Sequence, residues 1–213
     1  MKSKGLFITF EGSEGCGKST QIRRVAARLE KLGHRIFVTR EPCGTDVGES
    51  IRHLLQFSKS NGGMVPEAEL LLFSASRAQL VREKILPALA HGKIVLCDRF
   101  IDSTAVYQGI GRGLDRAFIA RLNAFAAQGR MPDLTLVLDL DVKKGLARAR
   151  KKTKRHDRME GQQRAFYEAV RRGFRALAQK EPKRVKLIDS SGEIDDVCDA
   201  ICRHIHDRLG KLG

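Results

Sequence analysis

The chain has 213 residues, a formal net charge of +15 and an apolar content of 42%. That length predicts a single domain, and that apolar share supplies a core and excludes global disorder. No run approaches the roughly 20 apolar residues of a membrane span, and the apolar stretch after Lys4 is too short for a signal peptide, so a cytoplasmic protein is expected.

In chain order, Leu6–Phe10 comes first as a short apolar run of strand formers. Residues 12–19 then read Gly-Ser-Glu-Gly-Cys-Gly-Lys-Ser, a full match to the phosphate-loop pattern G-x-x-x-x-G-K-[ST]. From Thr20 to Leu32, Ile22, Val25, Ala26 and Leu29 recur on one helical face. Strand, glycine loop and helix stand in the order the pattern requires. Backbone N–H groups of such a loop and the positive end of the following helix cradle phosphates. Gly12, Ser13, Glu14, Gly15, Cys16, Gly17, Lys18, Ser19 and Thr20 are therefore the candidate ATP-binding set, with Lys18 on the β- and γ-phosphates and Ser19 on Mg²⁺.

Further strands are expected at Arg35–Thr39, Lys93–Cys97, Leu134–Leu140 and Val185–Asp189. Helical patterns fall over 18–32, 46–57, 66–91, 115–128, 142–151, 160–180 and 194–209. Gly33 and Gly92 sit where a helix stops before a strand, and Pro87 is expected to bend the third helix or mark its last turns. The strands are near-continuous apolar runs, which implies burial on both faces and a parallel sheet covered by helices. The fold class is thus α/β: a three-layer P-loop architecture of about five parallel strands with helices on both faces.

Ligands in such sheets bind at the carboxyl ends of the strands. Those ends carry Arg40-Glu41-Pro42, Asp98-Arg99, and Asp139 with Asp141. Asp98 and Asp139 both qualify as the Mg²⁺-side carboxylate. Asp98 is the better candidate, because Arg99 beside it offers a bidentate fork for a second phosphate.

Five cysteines form no C-x-x-C pair, and an odd count argues against a disulfide framework. Cys198 and Cys202 are expected to pack in a C-terminal helix. From Lys143 to Lys186 there are 17 Lys and Arg against four acids. Such a block can face nucleic acid, an acidic membrane surface or a phosphate-rich small molecule. The phosphate loop favours phosphates, with any nucleic-acid binding non-specific.

The ordered set Phe10-Glu11-Gly12-Ser13-Glu14-Gly15, Thr39-Arg40-Glu41-Pro42 with Gly44-Thr45, Asp98-Arg99-Phe100, Tyr107-Gln108-Gly109 with Gly111-Arg112-Gly113, Pro132-Asp133-Leu134 and Asp157-Arg158-Met159-Glu160 resembles the bacterial thymidylate kinases over essentially the whole chain. The resemblance implies in-line transfer of the γ-phosphoryl of Mg-ATP to dTMP, giving dTDP, by a homodimeric enzyme. It places Arg99 on the acceptor phosphate and Glu14 near the sugar 3′-hydroxyl and the metal. Phe73 would stack on thymine, and Arg77 would donate to a thymine carbonyl. Ser103, Thr104 and Gln108 would line the base pocket, Tyr107 would crowd the sugar 2′ position, and Pro42 would line the pocket below the phosphate. Because the loop carries Gly15, the resemblance is to the form with its catalytic arginine in a lid, here about residues 149–159. Arg155 and Arg158 are the candidates, Arg150 stands behind them, Arg148 would face adenine, and Glu160 would sit near the acceptor. The catalytic set implied is Lys18, Arg99, Arg155 and Arg158, with Ser19 and Asp98 at the metal. Two alternatives remain at this level: another nucleotide or deoxynucleoside kinase, and a P-loop ATPase stimulated by nucleic acid.

Overall fold

Strands β1 (Leu6–Glu11), β2 (Ile36–Arg40), β3 (Ile94–Asp98), β4 (Leu134–Asp139) and β5 (Val185–Asp189) form one parallel sheet in the order β2-β3-β1-β4-β5. The structure, a computed structural model, describes residues 5–58, 62–152 and 162–210. All five strands lie within a residue or so of the positions expected from their apolar runs. Burial on both faces holds for β1, β3 and β4. It fails for the edge strands: Val38 in β2 and Leu187 in β5 are 48% and 40% exposed, because an edge is covered less completely than a central strand.

The helices among the described residues are α1 (Lys18–Lys31), α2 (Asp46–Gln56), α3 (Pro66–Leu80), α4 (Leu86–Ala90), α5 (Ile101–Val106), α6 (Arg116–Ala126), α7 (Val142–Lys152), α8 (Arg164–Lys180) and α9 (Ile194–Leu209). Side chains alternate across a strand, so β1 divides its residues between two layers. Leu6, Ile8 and Phe10 pack with Val25 and Leu29 of α1 and with Ile201 and Ile205 of α9. Phe7 packs on the opposite face with Leu80, Val81, Ile85 and Phe100. That face also receives Val170 and Phe174 of α8, against Val106 and Val137. Cys198 and Cys202 are buried in the α1–α9 layer, as packing residues.

The long helix expected over 66–91 is interrupted by a π-helical segment, Val81–Ile85, between α3 and α4. Pro87 explains its place, since a proline ring clashes with the carbonyl four residues back and removes a donor. The wider π turn moves that carbonyl away and the helix resumes. Gly33 and Gly92 take φ of 86° and 67° at the ends of their helices, as the sequence implied. A second π-helical segment, Tyr107–Gly111, continues α5, over residues where no helical pattern was expected.

Parallel register brings the strand ends level. Arg40 pairs with Asp98, Phe10 with Asp98 from the other side, and Glu11 with Val137. Thr9 and Glu11 lie on the α5 face of β1. Thr9 bonds Thr135 at 2.9 Å, and Thr135 joins the buried Asp102–Arg184 ion pair. Every buried polar group of that network has a partner, which is the condition for tolerating charge in a core.

Candidate active site

The loop between β1 and α1 turns on Gly12, Gly15 and Gly17, whose φ values are 133°, 68° and 97°. Lys18 reaches back into it, donating from Nζ to the Gly12 and Ser13 carbonyls at 3.1 and 3.0 Å. Ser19 Oγ donates to Asp98 Oδ2 at 2.9 Å. A hydroxyl and a carboxylate at the base of a phosphate loop are the hard oxygen donors Mg²⁺ takes, with phosphates and waters filling its remaining positions. Those residues fit the ion. Asp139, the other strand-end acid, is clamped instead by Arg171 through Nε at 2.7 Å and Nη2 at 2.9 Å.

Gly15 meets α7 without any space between them. A Cβ at Gly15 would stand 1.9 Å from the Gly145 carbonyl oxygen, and one at Gly145 would stand 2.5 Å from the Glu14 carbonyl oxygen. No arginine fits at position 15 while α7 keeps this approach, which gives a physical reason for the loop's glycine. Gly15→Ala combines that overlap with a left-handed φ, so a stability loss of about 2 kcal/mol or more is expected. Urea titration of both proteins measures it.

Arg99 follows β3 with φ of 70°, a left-handed conformation that a side chain adopts only when its surroundings impose it. Four hydrogen bonds impose it here. Its N–H donates to the Phe10 carbonyl at 3.0 Å, and the next N–H, of Phe100, donates to Glu11 Oε1 at 2.8 Å. Ser103, on α5, donates to Glu11 Oε2 at 2.5 Å and accepts from Arg99 Nη1 at 3.2 Å. The guanidinium then bridges the Gly12 carbonyl and Glu14 Oε1, at 3.1 and 2.5 Å, while its Cζ lies 4.9 Å from the centre of the Tyr107 ring. Burial works against the Glu14 carboxylate, but the Arg99 and Lys18 charges outweigh it and hold its pKa below the usual range.

Glu11 is fully buried, and desolvation, reinforced by the charge of Asp102, pushes its pKa from 4.5 to about 8. Between those values the unfolded chain releases the proton and the folded chain keeps it. Stability therefore falls as pH rises through that window, by up to about 1.4 kcal/mol per unit. Urea unfolding of the native protein and Glu11→Gln from pH 5 to 8 is expected to show the slope flattened in the variant.

The loop opens into a cavity of about 1210 Å³ along the carboxyl edge of the sheet. Single ligand pockets run from about 300 to about 1,000 Å³, so this one lies above that range. On the β2–β3 side of β1 it is lined by Pro42, Phe73, Arg77, Ser103, Thr104, Tyr107 and Gln108. Phe73 is half-buried rather than in the core. Arg77 is 1% exposed and its guanidinium is shared out: Nε and Nη2 to Glu41 Oε2 at 2.9 and 2.7 Å, Nη2 to Thr104 at 2.8 Å, and Nη1 to Asn123 at 2.7 Å. On the β5 side the lining is Arg148 of α7 and the loop Ser190-Ser191-Gly192 with Ile194. That loop was not singled out from the sequence, although it follows a strand and the carboxyl-end rule covers it. Arg155, Arg158, Glu160 and most of the lid expected at 149–159 lie outside the described residues.

A hydrolase needs room for one nucleotide at its phosphate loop. A cavity that runs from the loop in both directions, with an Asp-Arg pair at the junction, serves transfer between two nucleotides, which makes the chain a P-loop phosphotransferase of the nucleotide-kinase class. Comparison with known proteins narrows the class. The family model described as thymidylate kinase matches residues 10–201. The chain is 50% identical to thymidylate kinase of Geobacter sulfurreducens over 212 residues, covering 97% of this chain and 99% of that protein. It is 48% identical to that of Syntrophotalea carbinolica over 201 residues, covering 92% and 93%. A crystal structure of thymidylate kinase from Ehrlichia chaffeensis superposes with a TM-score of 0.78 at 35% identity, covering 94% of this chain and 98% of that one. The chain belongs to the thymidylate kinase family.

Proposed function

We propose a division of labour for the cavity in which the β2–β3 side holds dTMP and the β5 side holds ATP. As a member of its family the chain is an ATP-dependent kinase that phosphorylates dTMP to dTDP. The observation that carries the division is the guanidinium of Arg99 at the junction, fixed by a strained backbone and by Glu14, Gly12 and Ser103. Its fork grips the acceptor phosphate, while Lys18 and the loop N–H groups hold the β- and γ-phosphates. Mg²⁺, held through Ser19 and Asp98, neutralises phosphate charge when bound. The phosphate monoester of dTMP has a second pKa of about 6, so it arrives mostly as a dianion and needs no general base. Positioning and electrostatics then carry the rate.

Phe73 stacks on thymine, the Nη1 hydrogen of Arg77 not used by Asn123 donates to a carbonyl of the base, and Ser103, Thr104 and Gln108 close the pocket. Tyr107, whose hydroxyl lies 3.4 Å from Glu14, leaves little space for a 2′-hydroxyl, and Glu14 takes the 3′-hydroxyl. Arg148 flanks adenine, and Arg155 or Arg158 supplies the lid cation, with Glu160 near the acceptor. With γ-labelled ATP, label is expected in the β-position of dTDP, abolished by chelation and restored by Mg²⁺. Label released as inorganic phosphate overturns the assignment.

The chain acts as one kinase domain in the cytoplasm; no helix among the described residues is long and apolar enough to cross a membrane. It pairs with a second copy through α3 and α6, which pack together and leave Leu71 53%, Phe118 46% and Phe125 80% exposed. Sedimentation is expected to give a dimer, converted to monomer by Phe125→Glu. Nucleic acid binds its basic surface only non-specifically.

A further inference from the structure

We infer that Glu69, behind the pocket wall, sets the pyrimidine preference of the site by fixing which end of the Gln108 side-chain amide faces the base. The inference rests on the proposed assignment of Gln108 to the base pocket and names the residue that gives it its sense.

Glu69 lies on α3 and is 0% exposed; Gln108 lies in the π-helical segment after α5 and is 2% exposed. Gln108 Nε2 donates to Glu69 Oε1 at 2.7 Å, between residues 39 apart in the chain. A carboxylate only accepts hydrogen bonds, whereas the two ends of an amide differ: the nitrogen donates and the oxygen accepts. The amide can therefore present only its nitrogen to Glu69. Gln108 lines the cavity and Glu69 does not, so the end left for a ligand is the carbonyl oxygen, an acceptor. Arg112 holds the carboxylate from the other side, with Nη2 at 3.2 Å from Oε2 and Nε at 3.4 Å from Oε1. Arg112 is itself kept in place by Gln162 at 2.9 Å and by the Phe166 ring, 5.0 Å from its Cζ.

Across the same pocket Arg77 can only donate. Four of its five N–H groups are accounted for by Glu41, Thr104 and Asn123, which leaves one on Nη1. The wall thus offers one donor and one acceptor. Thymine and uracil present the complement, a carbonyl at C4 and N–H at N3. Cytosine presents the reverse at both positions, an amino group and a bare ring nitrogen. A site built on buried hydrogen-bonding groups rejects a ligand that leaves them mismatched, because each mismatched group forfeits its partner out of water. Glu69 touches no substrate in this scheme. It is a positioning residue that acts through Gln108.

Glu69→Gln tests it. A glutamine at 69 offers an amide of its own, so Gln108 is no longer held and can turn its NH₂ toward the base. The ratio of kcat/KM for dTMP to that for dCMP is expected to fall by about tenfold or more, with dUMP falling in step with dTMP. A residue needed only for packing would lower all three together and leave the ratios alone. Glu69→Gln/Gln108→Glu restores a carboxylate-to-amide pair with the roles exchanged and again turns an acceptor oxygen to the base, so the ratio recovers. A folded Glu69→Gln protein with an unchanged ratio overturns the inference. Should that variant not fold, a folded double variant that has lost the preference overturns it equally. Gln108→Leu, run alongside, separates the two layers: an unchanged ratio there removes Gln108 as a reader of the base, whatever Glu69 does.

Discussion

Arg99→Ala is expected to lower kcat/KM for dTMP by about 10³-fold, within the range found for cationic groups that clamp a transferring phosphoryl. The loss has two sources. The acceptor phosphate loses a planar fork that reaches two of its oxygens, and Glu14 loses the guanidinium 2.5 Å away that compensates its charge. An unpaired Glu14 beside a dianionic substrate then repels what Arg99 attracted. Arg99→Lys, which keeps the charge but not the fork, is expected to recover only part of the rate. The backbone supplies a control. Arg99 holds φ of 70°, so Arg99→Gly is expected to be more stable than Arg99→Ala by about 1 kcal/mol while being equally inactive. Steady-state kinetics and urea titration of the three variants separate the chemical role from the conformational one.

Arg77→Met is expected to cost about 3–5 kcal/mol of stability, the range for breaking a buried ion pair by removing one member. The pair with Glu41 is almost fully enclosed, with the two side chains 1% and 3% exposed. Desolvation already dominates at Glu41, raising its pKa in spite of the neighbouring guanidinium. Without Arg77 the carboxyl must fold protonated or carry an uncompensated charge, and Thr104 and Asn123 lose their donor as well. Glu41→Gln in the Arg77→Met background is expected to regain a large part of the loss, because the burial penalty of a charge goes with the charge. Thermal and urea unfolding measure both. Recovery of stability without recovery of dTMP turnover would show that the arginine serves the fold and the base pocket at once.

The contrast between those two residues shows what the sequence exposes and what it hides. The Asp98-Arg99 pair and the phosphate loop are legible because each is a local string at the end of an apolar strand, where the geometry of a parallel sheet puts ligands. The strands and long helices are legible for the same local reason, through apolar runs and helical spacing. The groups that hold the site in shape are non-local. Glu11 reaches Ser103 across 92 positions and Arg77 reaches Glu41 across 36, and each carboxylate alone reads as an ordinary strand-end acid. Ile101–Gly111 escapes because Asp102, Ser103 and Thr104 break its apolar pattern and its glycines suggest a turn. Those three side chains point at Arg184, Glu11 and Arg77, so two of the residues that obscure the helix, Ser103 and Thr104, are ones the site uses. The Ser190–Ile194 wall escapes because serine and glycine after a strand are the usual composition of any loop.

The most direct test of the account is an ADP-release assay with Mg-ATP against dTMP, dUMP, dCMP, dGMP, AMP, thymidine and single-stranded DNA. Turnover strongest with dTMP, weaker with dUMP and slight with the rest is expected from a pocket whose donor and acceptor match thymine and whose Arg99 demands a phosphate. Strong turnover with another monophosphate would contradict the assignment of Phe73, Arg77 and Gln108. ADP release that appears only with DNA would contradict the kinase account as a whole.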